Sequence, residues 1–126
     1  MEITKAGIIL NTENYAACRQ FYASVLELPV LDEFGEVEDE ITIFSLGDVN
    51  FMVEHGGSAC LPQKSDIQCP TKFRFNVPDV KAAAEKIARK GVQISVLTHV
   101  WGVTAEFFDP DGNRCALRSD AGFSAT

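Results

Sequence analysis

The hydrophobic and polar positions of this chain change from a period of two to a period near 3.6 and back again, and they do so twice. "ITKAGIILNT" is rich in β-branched and aliphatic residues and reads as a strand. "ENYAACRQFYASVLELP" then places Tyr15, Cys18, Phe21, Tyr22, Val25 and Leu26 at spacings of three and four. That spacing predicts one helix, opened by Glu13 or Asn14 and ended before Pro29, with a single apolar stripe. "PVLDEFG", "DEITIFSLG" and "VNFMVEHGG" predict three short strands, with turns at Gly35, at "GDVN" and at Gly56 and Gly57.

"GGSACLPQKSDIQCP" has no helical or strand period and contains two prolines, so it reads as a connector. After it the pattern restarts. "TKFRFNV" alternates strictly, "PDVKAAAEKIARKG" is a helix with proline at its first turn and glycine after its last, and "VQISVLTHV", "VTAEFFD" and "RCALRS" are three more strands. Laying "ILNTENYAACRQFY" over "FRFNVPDVKAAAEKI" matches Leu10 with Phe75, Asn11 with Asn76 and Asn14 with Asp79, which is an internal duplication. The expected fold is therefore α+β: two tandem βαβββ modules forming a curved mixed sheet around a concave cleft where a ligand would sit. Module one covers about 1–57, the connector about 58–70 and module two about 71–126, within a single domain over residues 1–126.

Composition narrows the function class. Of 126 residues, 46% are hydrophobic and 23% charged, as in ordinary globular proteins. No stretch approaches the roughly 20 apolar residues of a membrane helix, and "MEITKAGIIL" has no export-signal pattern, so no membrane partner and a cytoplasmic location are expected. The formal net charge of −7 argues against nucleic acid as a partner, because phosphate neutralisation needs a basic patch. The acidic run "DEFGEVEDE" is read as a solvated edge that resists aggregation. Cys18, Cys60, Cys69 and Cys115 have no metal-site spacing and are expected to be reduced thiols.

The "FYASVLELPV" that ends the first helix, the duplicated module, and "WG" followed by "DPDGN" before the last strand resemble the vicinal oxygen chelate superfamily. That group includes glyoxalase I, bleomycin-resistance proteins and extradiol dioxygenases, and the resemblance covers essentially the whole chain. It implies paired modules around a cleft, commonly as a homodimer. In the metal-dependent members, ligands come from the first and last strands of each module. Aligned on the strand-helix boundary, those positions fall on Gly7, Glu54, Lys72 and Ala116. Only Glu54 carries a metal donor, since glycine and alanine have none and a lysine ammonium repels a cation. His55 lies on the opposite strand face from Glu54, and for it and for His99 in "THVWG" a surface or turn role is expected in preference to metal binding. No metal site and no cofactor are expected.

Strand alternation sends Met52 into the cleft with Glu54, and Lys72 and Arg74 with Asn76, while Phe73 and Phe75 go to the core. On the last strand Cys115 and Leu117 face the core, which leaves Arg114, Ala116 and Arg118 on the cleft side. Trp101, at the entrance to the last hairpin, is placed to cover an apolar part of a ligand. Two roles stay open for Lys72, Arg74 and Arg118: ion pairs with Glu54, Glu106 or a second subunit, or recognition of an acidic group on a ligand. The expected function is metal-independent binding of a small organic molecule, either an anionic metabolite or a sequestered antibiotic, by Met52, Glu54, Lys72, Arg74, Trp101 and Arg118. The alternative is a glyoxalase-like lyase or isomerase in which Glu54 is the general base and Lys72 or Arg74 stabilises the oxyanion.

Overall fold

The computed structural model describes residues 1–120; the last six residues of the expected second module lie outside the described residues. The chain forms two compact units, Met1–Cys60 and Leu61–Thr126. Each unit is a strand, a helix and three strands, and each builds one four-stranded sheet with a parallel pair followed by two antiparallel pairs.

In the first unit, β1 (Gly7–Thr12), β2 (Val30–Phe34), β3 (Ile41–Leu46) and β4 (Val49–His55) take the order β1-β4-β3-β2. Phe51 and Val53 of β4 are fully buried, and their ladder neighbours Leu10, Thr42 and Phe44 are buried with them. These side chains share one face because residues directly opposite each other in a ladder point the same way. α1 (Tyr15–Gln20) covers that face, and Tyr22 meets Phe51 edge to face at 4.8 Å between ring centroids. Burying aromatic rings of this size supplies about 2–3 kcal/mol each, which makes this layer the main source of the unit's stability.

In the second unit, β5 (Phe73–Val77), β6 (Ser95–His99), β7 (Gly102–Phe108) and β8 (Arg114–Ser119) take the matching order β5-β8-β7-β6. α2 (Val80–Arg89) buries Val80, Ala84 and Ile87 and packs on β7 and β8, where Ala105, Phe107, Cys115 and Leu117 are buried. Its start is fixed by Asp79, whose side chain accepts a 3.0 Å hydrogen bond from the Ala82 backbone N–H. It ends at Gly91, with φ of 91° and a backbone hydrogen bond from Gly91 N–H to Ala88, a conformation that suits glycine.

Three local departures from the sequence reading have plain causes. The first strand starts at Gly7 and not at Ile3, because the ladder to β4 starts at the Gly7–Asn50 pair and the exposed residues before it have no strand partner. β6 starts at Ser95 and not at Val92 for the same reason, its ladder to β7 starting at the Ser95–Glu106 pair. The first helix widens into a π-helical segment over Phe21–Val25, closed by a 3.0 Å hydrogen bond from Leu26 N–H to the Phe21 carbonyl. That turn keeps Phe21 and Tyr22 both buried, which a regular helical stripe does not need.

Candidate functional site

Each sheet has a second face, away from its helix. In the first unit it carries Ile9, Met52 and Ile43 in one ladder row and Asn11, Glu54 and Ile41 in the next. Asn11 Nδ2 donates to Glu54 Oε1 at 3.0 Å and also to the His55 carbonyl at 3.0 Å, so the Glu54 carboxylate is held by a neutral amide. His55 points to the other side, as alternation requires. It stacks on Tyr15 at 4.7 Å and hydrogen-bonds Glu40 Oε1 at 2.9 Å. That bond holds the Glu40 carboxyl below its ordinary range.

In the second unit the corresponding rows are Arg74, Ala116 and Glu106, then Asn76, Arg118 and Thr104. Around them lies a pocket of about 390 Å³ lined by Lys72 and Arg74 from the β5 side, Ala116 and Arg118 from β8, Thr104 and Glu106 from β7, and Leu97 and His99 from β6. Its centre is hollow because the middle position of the first row is Ala116, which contributes only a methyl group.

The pocket is cationic. Three cations, Lys72, Arg74 and Arg118, face one carboxylate, Glu106, which gives a formal +2 with His99 neutral. Lys72 Nζ donates to Glu106 Oε1 at 2.8 Å, so one of the ion pairs expected from the sequence is present. The pair is partly exposed, with side-chain exposures of 33% and 51%, and such pairs add at most about 1 kcal/mol of stability. An acidic protein that gathers positive charge at one concavity focuses a local field opposite in sign to its own.

Trp101 belongs to this site through its neighbours. The His99 ring stacks on the indole at 4.5 Å with an interplanar angle of 3°, and the Arg118 guanidinium carbon lies 4.2 Å from the indole centroid. His99 Nε2 is 2.9 Å from Thr104 Oγ1, which fixes the ring against β7. Trp101 is 41% exposed, so it is not a core aromatic.

The "DPDGN" turn sets the start of β8. Asp109 Oδ1 accepts 2.9 Å hydrogen bonds from the backbone N–H groups of Asp111 and Asn113, and Asn113 Nδ2 donates to Asp109 Oδ2 at 2.8 Å. Gly112, with φ of 83°, closes the turn. Lys64 Nζ ties Asn113 Oδ1 to the connector at 2.7 Å. Cys115, Ala116 and Arg118 follow directly, so this buried polar network aims the strand that floors the pocket.

The ladder corrects one assignment made from the sequence. Ala116 pairs with Arg74, two residues after Lys72; in the first unit the residue two after Gly7 is Ile9, and it pairs with Met52. Met52 is therefore the counterpart of Ala116, and Glu54, which pairs with Asn11, is the counterpart of Arg118, which pairs with Asn76. A shift of two residues keeps every side chain on its face, so alternation alone could not detect it. The four positions at which the family's divalent metal is held thus read Gly7, Met52, Lys72 and Ala116. With no oxygen or nitrogen ligand other than a lysine amine, they do not fit such an ion. Among the described residues no group of three or more His, Cys, Asp or Glu side chains is arranged to hold a metal.

Of the residues singled out from sequence, the structure brings Lys72, Arg74 and Arg118 together around one pocket and Trp101 against its rim. Met52 and Glu54 stand on the first unit's open face. Sequence reasoning missed Leu97 and Thr104, and it gave His99 a surface or turn role where the structure places it at the end of β6, lining the pocket. Counting back by two from Glu106 along "VTAEFFD" reaches Thr104, and the hairpin register then gives Leu97 opposite it.

The sequence matches the family profile described as the Glyoxalase/Bleomycin resistance protein/Dioxygenase superfamily over residues 6–117. The chain belongs to that superfamily. No curated protein matches it in sequence. Similar solved structures include TnmS3, an antibiotic binding protein from Streptomyces sp. CB03234, at 18% identity and a TM-score of 0.75, covering 94% of this chain and 98% of that one. A glyoxalase/dioxygenase from Nostoc punctiforme is similar at 22% identity and a TM-score of 0.72, with 90% and 88% covered. A lactoylglutathione lyase from Agrobacterium tumefaciens is similar at 14% identity and a TM-score of 0.68, with 90% and 91% covered. At these identities the likeness is one of fold. No helix among the described residues is long and apolar enough to cross a membrane.

Proposed function

We propose that this superfamily member is a metal-independent binding protein for a small organic anion, held on the open face of the second unit's sheet. The observation that carries the reading is the +2 pocket floored by Ala116 in a protein of net charge −7. Lysine and arginine donors converge there on a volume within the range of small-molecule sites, and charge-assisted hydrogen bonds to a carboxylate or phosphate are the strong ones. The donor set at Gly7, Met52, Lys72 and Ala116 supports metal independence. A sequestered cationic antibiotic fits less well, because Lys72, Arg74 and Arg118 would oppose it. A homodimer in the cytoplasm is part of the same proposal, and light scattering on the purified protein checks the dimer.

The reading is tested by calorimetric titration with small carboxylates and organophosphates against cationic compounds of similar size. Binding of the anions, lost in Arg74→Glu, supports it; preference for the cations overturns it. A second reading, a glyoxalase-like lyase or isomerase with Glu54 as general base, draws on the Asn11 amide that orients the Glu54 carboxylate. Once a substrate is in hand, full turnover in Glu54→Gln removes that reading.

A further inference from the structure

The pocket is not uniform, and its asymmetry names a ligand class. Along the strand order β5-β8-β7-β6, one flank carries Arg74 and the arm of Lys72, the floor is the methyl group of Ala116, Glu106 stands beside that floor on β7 with the Lys72 ammonium 2.8 Å away, and the other flank is Leu97 and the His99 ring. Leu97 is 52% exposed, so a large part of its side chain remains open to a guest. The His99 ring is backed by Trp101 and pinned by Thr104, which makes a preformed planar wall with little rotamer freedom left to lose. Arg118 is drawn to the same indole, so its guanidinium belongs to that wall as much as to the cationic group.

We infer that the guest is a ring-bearing carboxylate, an aromatic acid of one or two rings, with its acid group toward Arg74 and toward Lys72, which it shares with Glu106, and its ring lying over Ala116 toward Leu97 and His99. This rests on the anion-binding reading above and narrows it. Three inter-strand spacings of about 4.8 Å separate β5 from β6, roughly 14 Å in all, and the long arms of Lys72 and Arg74 reach inward from one end. A two-ring acid bridges the remainder, whereas acetate reaches only the charged flank. The flat floor is what admits a ring, since any side chain longer than alanine's would rise into the centre of the first ladder row.

Calorimetric titration of the full chain with 2-naphthoate, its neutral isostere 2-naphthamide, and acetate separates the parts. The expected result is that naphthoate binds at least about tenfold more tightly than either of the others, because each lacks one of the two contributions. Arg74→Gln and Lys72→Gln should each bring naphthoate toward the amide while leaving the amide unchanged. His99→Ala should weaken naphthoate several-fold and leave acetate as it was. The quenching of Trp101, the single tryptophan of the chain, gives a second readout at the same wall. Circular dichroism confirms that each variant is folded. If acetate binds as tightly as naphthoate and the amide does not bind, the ring-bearing class is overturned and the anion reading stands. If the amide binds as well as naphthoate, or nothing binds at millimolar concentration, both are overturned.

Discussion

The two units present the same ladder with opposite chemistry on their open faces. Where the first has Ile9, Met52 and Ile43, the second has Arg74, Ala116 and Glu106; where the first has Asn11, Glu54 and Ile41, the second has Asn76, Arg118 and Thr104. Met52 occupies the centre of its row and Ala116 leaves its own empty. A carboxylate held by an amide on one sheet becomes a guanidinium against an indole on the other. The buried faces have not diverged in this way, since Phe51 and Val53 are matched by Cys115 and Leu117, all against a helix layer. The duplicated fold fixes where side chains stand, while the residue at each position decides whether the spot is filled, acidic or cationic.

The likeness of the buried faces is tested by the costliest substitutions. Phe51→Ala in the first unit and Phe107→Ala in the second should each destabilise the protein by about 3–5 kcal/mol in denaturant unfolding, since both rings are almost fully buried. A cost under about 1 kcal/mol in either unit would break the equivalence. The open faces should behave differently. Ala116→Glu places a carboxylate in the middle of the cationic row and fills the floor, so anion affinity should fall by about 2–3 kcal/mol, as judged by calorimetry, with only a small change in unfolding midpoint.

The helix starts sharpen the comparison at a lower level. Asp79→Ala removes a cap that is bonded to Ala82 and should cost about 1 kcal/mol, whereas Asn14, whose side chain makes no cap bond to α1, should cost less on replacement by alanine. Paired thermal melts of the two variants check the order.

The smallest effect concerns the first unit's exposed charges. Arg19 donates to Glu33, and that hydrogen bond holds the Glu33 carboxyl below its ordinary range. A depressed folded-state pKa contributes stability above the ordinary carboxylate range and loses it as pH falls through the depressed value. The melting-temperature gap between the parent and Glu33→Gln should therefore be present at neutral pH and close on acidification. The pair is about 40% exposed, so it should not exceed about 1 kcal/mol.

Much of this was legible in the residues themselves. Alternation put Phe51 and Val53 inward and Met52 and Glu54 outward, and it put Lys72, Arg74 and Arg118 on one face with Glu106 as a partner. What periodicity cannot carry is register. Moving β4 by two residues against β1 preserves every inward and outward position, so only the hydrogen-bond ladder could exchange Met52 for Glu54 as the counterpart of Ala116. The π-helical segment was equally hidden, because Phe21–Val25 fits a regular stripe nearly as well. Thr104 was within reach of alternation from Glu106, whereas Leu97 and His99 required the pairing of β6 with β7, which a single strand's pattern does not specify.

The most direct test of metal-independent anion binding is a calorimetric titration of chelator-treated protein, shown metal-free by elemental mass spectrometry, with 2-naphthoate in the absence and presence of zinc or nickel. The account predicts one binding curve, unchanged by the added ion and lost in Arg74→Glu. Binding that appears only with metal, or that survives the charge reversal at full strength, would contradict it.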